Sequence, residues 1–118
     1  MYRIMLKAKI HGAWVTETNI DYEGSLTLDE SLMKTGEMVP NEQVWVYNVT
    51  NGERFTTYLI KGKKDSGVIG INGAAVHKAQ KGHKLIVASY CLIDEQEIQF
   101  FLPKKLILDE NNRIKEIK

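Results

Sequence analysis

Four short blocks of this chain carry groups able to act on a small molecule: Lys9-Ile10-His11, Gly24-Ser25, Arg54-Phe55-Thr56-Thr57-Tyr58 and Asn72-Gly73-Ala74-Ala75. Arg54 suits a carboxylate, because a guanidinium grips two oxygens through parallel N–H bonds. Lys9 offers a second positive charge. The Tyr58 phenol can give a proton when it is positioned to do so. Residues four apart on a strand point the same way, so Arg54 and Tyr58 share a face. Asn72 both donates and accepts, and the small residues after it let a ligand approach backbone N–H groups. Taken singly, each block also has a plain reading. Gly24-Ser25 is a turn, Arg54 to Tyr58 a surface strand with a half-buried tyrosine, Lys9 a solvated lysine, His11 a structural hydrogen-bonder and Asn72-Gly73 a strand-ending turn.

Other chemistries are closed or weakly supported. The chain has no Gly-x4-Gly-Lys-Ser/Thr phosphate loop, no Gly-x-Gly-x-x-Gly and no Gly-x-Ser-x-Gly. There is no cysteine pair, and His11, His77 and His83 lack the close spacing of a zinc ligand pair. A net charge of +1 gives no field that would draw nucleic acid or an anionic membrane. The basic stretches Lys61 to Lys64 and Lys78 to Lys84 read as solvated turns. The single cysteine, Cys91, allows no intrachain disulfide and reads as a small buried hydrophobe in a reducing compartment. No stretch reaches the ~20 apolar residues that span a bilayer, and the N-terminal residues lack a signal-peptide core. The expectation is a soluble cytoplasmic protein.

The elements that must hold these blocks are mostly strands. With 118 residues, 43% hydrophobic and 26% charged, the chain has the size and composition of one globular domain, 1–118. Strands are predicted over Met1–His11, Ala13–Ile20, Gln43–Val49, Arg54–Lys61, Val68–Ile71, His83–Leu92, Lys105–Leu108 and Arg113–Ile117. Asn51-Gly52 predicts a tight hairpin, because both residue types tolerate positive φ. Thr27-Leu28-Asp29-Glu30 has capping-box spacing, and Gly36 stops the short helix it starts. Gly73 to Ala79 predicts one or two helical turns, and Ile98 to Leu102 is ambiguous. A mainly β fold, one compact barrel with short helical connections, is the simplest architecture.

Met5-Leu6-Lys7-Ala8-Lys9-Ile10-His11, Tyr22-Glu23-Gly24-Ser25, Asn48 to Tyr58 and Asn72-Gly73-Ala74-Ala75-Val76-His77 stand in the order and spacing of one family. Together they resemble the pyruvoyl-dependent aspartate 1-decarboxylases, from Leu6 to about Pro103. The resemblance implies a double-psi β-barrel, a homotetramer with active sites between subunits, and L-aspartate as substrate in the β-alanine step of pantothenate biosynthesis. It also implies that the chain cuts itself between Gly24 and Ser25, giving a β chain 1–24 and an α chain 25–118. The Ser25 hydroxyl attacks the Gly24 carbonyl, whose approach is open because glycine has no Cβ. A strained peptide there would help the attack.

Thr57 is implied as an oxyanion donor in that step, with His11 assisting. Serine becomes a pyruvoyl group, the only cofactor expected; neither metal nor pyridoxal phosphate is. The group forms a Schiff base with the substrate amine. By the same resemblance Lys9, Arg54, Thr57, Asn72, Gly73, Ala74 and Ala75 bind substrate, and Tyr58 protonates the carbanion. The pattern departs from the family at Gly12, commonly arginine, at His83, commonly acidic, and at Val76, commonly alanine. Position 47, an aromatic in some members, is Tyr47. Whether processing needs an accessory protein stays open at this level. So does a second reading, a non-enzymatic binding module on the same barrel.

Overall fold

Alternation of apolar and polar residues makes strands of most of the chain. The computed structural model describes residues 1–118. Its strands are β1 Tyr2–Trp14, β2 Glu17–Asn19, β3 Ser25–Asp29, β4 Gln43–Asn48, β5 Arg54–Gly62, β6 Ile69–Asn72, β7 Lys84–Asp94, β8 Lys104–Leu108 and β9 Ile114–Ile117. One α-helix, α1 Glu30–Thr35, and two 3-10 segments, Gly73–His77 and Glu95–Phe100, supply the helical connections. The strands lie in the order β2-β6-β3-β5-β4-β7-β1-β8-β9. Three neighbouring pairs are parallel: β1 with β8, β2 with β6 and β3 with β5. The others are antiparallel. The fold is mainly β, and this mixed sheet is compatible with a double-psi β-barrel.

One cluster of 19 buried residues draws on both ends of the strand order, so the sheet wraps a single core. Ile71 of β6 and Leu106 of β8 belong to it, as do Ile10, Leu26, Val46, Leu59 and Val87. On β4, Val44, Val46 and Asn48 point inward while Gln43 and Trp45 are exposed. A slip of one residue would put both valines in water. Burial of such a side chain is worth roughly 1.5–3 kcal/mol, so the register is firmly set. The same alternation puts Ala8 and Ile10 of β1 inside and Lys9 and His11 on the other face.

Several boundaries differ from the sequence expectation. β1 runs through to Trp14 because Gly12, with φ 82°, absorbs a register shift between His11 and Ala13 as a bulge. The expected second strand shrinks to Glu17–Asn19. The cap of α1 is Asp29 rather than Thr27; Thr27 stays in β3, paired with Ile60 of β5. Gly36 ends the helix in a right-handed conformation, and Glu37 takes the positive φ. The β4–β5 hairpin closes through Val49–Glu53 rather than a two-residue turn, and only Gly52 has positive φ. The side chains of Asn48 and Asn51 accept from the N–H groups of Thr50 and Glu53, which rounds the longer loop. Cys91, expected to be buried, is half-buried opposite Met5 near the end of β7. No helix is long and apolar enough to cross a membrane.

Candidate active site

Ser25 opens β3 and lies directly opposite Asn72, the last residue of β6. Both are buried. The Asn72 amide nitrogen Nδ2 donates to the Ser25 Oγ at 3.0 Å and to the Thr27 Oγ1 at 3.0 Å. Ser25 Oγ sits 3.5 Å from the Glu23 carbonyl oxygen, a weak contact that leaves the hydroxyl hydrogen loosely held. Gly24 is exposed, and no atom lies within 4 Å of the place where a Cβ would stand. One side of the Gly24-Ser25 bond is therefore open and the other is fixed. Ser25 has φ 158°, at the margin of the extended region. The strain expected at this bond finds no support in that value.

Gly73 follows Asn72 with φ 62°. A Cβ there would lie 2.8 Å from the Gly24 Cα, 2.9 Å from its N and 3.0 Å from the Tyr22 carbonyl oxygen. Only glycine allows the 3-10 segment to press its backbone on the residue preceding Ser25. Gly73 thus supports Gly24 from behind, a contact its expected substrate-binding role did not include.

A cleft of about 380 Å³ opens beside this bond. Gly24, Ser25, Phe55, Thr56, Thr57, Tyr58, Asn72, Ala74, Ala75 and Lys78 line it. The sequence-predicted Gly24, Ser25, Thr57, Tyr58, Asn72, Ala74 and Ala75 are therefore brought together. Phe55, Thr56 and Lys78 were not singled out by sequence. Phe55 and Thr56 fall inside the Arg54–Tyr58 block, so neighbourhood was a usable signal. Lys78 read as part of a solvated cluster; it pairs with Glu53 at 2.8 Å, and nothing local marked it.

Lys9, His11 and Arg54 do not line this cleft. Arg54 and Tyr58 do share a face of β5, since exposed Arg54, Thr56 and Tyr58 alternate with half-buried Phe55 and Thr57. Yet Arg54 belongs with Lys9 to a separate cleft of about 300 Å³, lined also by Leu6, Tyr47, Ile86, Ala88 and Tyr90. The Arg54 guanidinium lies 4.7 Å from the Tyr47 ring centroid, and the Tyr47 and Tyr90 hydroxyls are 2.7 Å apart. Burial and the hydrogen bond to Tyr47 push the Tyr90 phenol up to about 12. His11 lines a third cleft with Lys9, Lys105, Leu106, Ile107 and Lys118. Burial, then the charges of Lys9, Lys84 and Lys118, hold its imidazole below the usual histidine range. It is accordingly neutral at physiological pH.

The departures from the family pattern have structural places. His83 Nδ1 takes N–H bonds from Asn48 Nδ2 at 3.0 Å and the Gln80 backbone at 3.1 Å, so it anchors the loop that enters β7. Val76 packs against the core. No group of three or more His, Cys, Asp or Glu is gathered that could hold a metal ion.

The sequence profile of the family described as aspartate decarboxylase matches residues 1–115. The chain is 50% identical over 118 residues to the aspartate 1-decarboxylase of Ralstonia nicotianae, covering 100% of this chain and 98% of that protein. It is 50% identical over 115 residues to the aspartate 1-decarboxylase of Syntrophus aciditrophicus, covering 98% and 99%. With the Syntrophobacter fumaroxidans enzyme of the same name the identity is 53% over 113 residues, covering 96% and 91%.

Proposed function

The chain belongs to the aspartate decarboxylase family, and from that membership we propose that it removes the α-carboxylate of L-aspartate as CO2 and releases β-alanine for pantothenate biosynthesis. It is an enzyme, a carboxy-lyase. The observation that carries the finer reading is the pairing of Ser25 with Asn72 beside a cleft lined by Thr57 and Tyr58.

The chain first cuts itself. Ser25 Oγ adds to the Gly24 carbonyl carbon, and the peptide nitrogen leaves, giving an ester. The Thr57 hydroxyl donates to the developing oxyanion. Loss of the Ser25 α-proton expels Gly24 as a free carboxylate and leaves dehydroalanine at position 25. One water then converts that to a pyruvoyl group and ammonia. The site fits such a group, because the Ser25 side chain is held by one donor and faces a cleft wide enough for a four-carbon diacid.

When present, the pyruvoyl group supplies a sink for the electron pair freed as CO2 leaves. The chain's own residues do the rest. Tyr58, exposed on β5 at the cleft, gives its proton to the carbon that lost CO2. Backbone N–H groups at Ala74 and Ala75 and the Asn72 amide orient the substrate. Arg54 and Lys9 grip the carboxylate that stays. Because they line a different cleft of the same protomer, the reading requires a neighbouring subunit of a homotetramer to bring them to Ser25. His11, on the same face of β1 as Lys9, comes with them and assists processing as a neutral imidazole.

Intact mass of the purified protein tests this. Two pieces divided at Gly24-Ser25, the larger blocked to Edman sequencing, are expected. An uncut 13.5 kDa chain after prolonged warming would overturn the proposal. Incubating protein translated with no other protein present shows whether the cut is autonomous. Ser25→Ala is expected to abolish both cleavage and β-alanine formation while leaving the barrel folded.

A further inference from the structure

Four adjacent strands, in the order β5-β4-β7-β1, converge on the cleft that holds Arg54. Tyr47 of β4 stands opposite Arg54 of β5 and Ile86 of β7. Tyr90 of β7 stands opposite Leu6 of β1. The Arg54 side chain makes no ion pair and no hydrogen bond; its one close polar or aromatic partner is the Tyr47 ring. That arrangement has a chemical consequence. A carboxylate or carbonyl holding the guanidinium would consume N–H donors, and a carboxylate would also cancel the charge. A ring face holds the plane of the guanidinium electrostatically and leaves all five N–H groups free.

The ring must itself be held, and it is held at two points. Trp45, two residues back on the same face, stacks near it with centroids 6.3 Å apart and planes at 15°. The Tyr47 hydroxyl meets the Tyr90 hydroxyl at 2.7 Å. We propose that Tyr90 is a positioning residue for substrate binding: through its hydroxyl it fixes Tyr47, and through the Tyr47 ring it aims Arg54 at the carboxylate the substrate keeps. Tyr90 touches no reacting atom. Its effect belongs to recognition of a dicarboxylate, not to bond breaking. The inference rests on Arg54 being the carboxylate binder of the proposed function.

The test uses the processed, assembled protein with Tyr47→Phe, Tyr90→Phe and the double variant, all of which keep the rings and the fold. Losing one hydrogen bond of this kind is expected to raise KM for L-aspartate about threefold to tenfold in each single variant, with kcat within about twofold. The double variant is expected to be no worse than either single, because both remove the same bond. Tyr47→Leu, which also removes the ring, is expected to lose more. Calorimetric titration with succinate, an unreactive four-carbon dicarboxylate, is expected to weaken in parallel. Unchanged KM and succinate affinity in both single variants would overturn the proposal, as would a fall in kcat at constant KM or multiplicative losses in the double variant. Failure of the wild-type protein to release CO2 from aspartate would instead overturn the decarboxylase reading, and the succinate titrations would still judge Tyr90.

Discussion

Asn72 has two amide hydrogens and gives them to two hydroxyls, Ser25 and Thr27. That engages a lone pair of Ser25 Oγ while its own hydrogen has only the long 3.5 Å contact to the Glu23 carbonyl, an arrangement suited to the nucleophile proposed above. Gly73 adds backbone support on the far side of Gly24. Gly73→Ala places a methyl 2.8 Å from the Gly24 Cα, against backbone that cannot swing aside. We expect cleavage at least about tenfold slower, with about 1–2 kcal/mol of further cost from left-handed backbone in a non-glycine residue. The fraction of cut chain against time, read by mass, measures it. Gly52→Ala is the control: it shares the positive φ but meets no atom within 4 Å, so it should lose about 1 kcal/mol and cleave at the normal rate. At this scale the residues that line the cleft at Ser25 were legible only as ordered blocks resembling one family, since each block alone also reads as a turn or a surface strand. Tyr90 was not, since a tyrosine in a β-rich run has no local mark, and its partner lies 43 residues away.

Asp29 joins three elements. It ends β3, caps α1 and collects the turn before β6. Its Oδ1 accepts from the Ser31 N–H and hydroxyl and the Asp65 N–H, and its Oδ2 accepts from the Gly67 N–H, all within 2.9 Å. Burial pushes this carboxyl up, but these four bonds together outweigh it and hold it below the usual carboxylate range. A group depressed on folding stabilises fully above its unfolded pKa and loses that contribution as the pH falls toward its folded value. Thermal stability should therefore decline from about pH 4 downward in the wild type. Asp29→Asn should flatten that decline and cost about 2 kcal/mol at pH 7, since an amide nitrogen would face donors. Melting curves from pH 3 to 7 check both. The helix and its stop at Gly36 were readable from spacing. The choice of Asp29 over Thr27 as cap was not, because it depends on β3 pairing with β5 through Asp29, a contact between distant segments. The hairpin was likewise legible at Asn51-Gly52, while its length was set by side-chain bonds of Asn48 and Asn51.

Across the whole molecule, the residues expected in one site divide between clefts. Ser25, Thr57, Tyr58 and Asn72 share one, and Lys9 and Arg54 share another. The family resemblance implies which residues take part, and the proposed function joins the two clefts only if they come from different copies of the chain. A mixed oligomer distinguishes the possibilities. Ser25→Ala chains keep Arg54 but make no cofactor; Arg54→Ala chains make the cofactor but lack the guanidinium. Coexpressed, they should regain decarboxylation that neither has alone if the site forms between subunits. No recovery in verified mixed oligomers would put both halves in one protomer. Ile4 and Leu92, paired across β1 and β7, stand 73% and 66% exposed, apolar surface that the proposed assembly would have to cover or leave in water.

The place of Gly24 in the sheet order has a thermodynamic consequence. Under the proposed cut at Gly24-Ser25, the 24-residue piece would contain β1, which lies between β7 and β8 in the sheet order, and β2 at one end. The two pieces would then be held by strand pairing and by Ala8, Ile10, Ala13 and Val15 in the core, not by a covalent link. Unfolding the mature protein then separates fragments, so its molecularity rises by one for each cut chain. The melting midpoint of the cut form should climb with protein concentration more steeply than that of Ser25→Ala at the same oligomeric state. Scanning calorimetry over a hundredfold dilution series reads the difference.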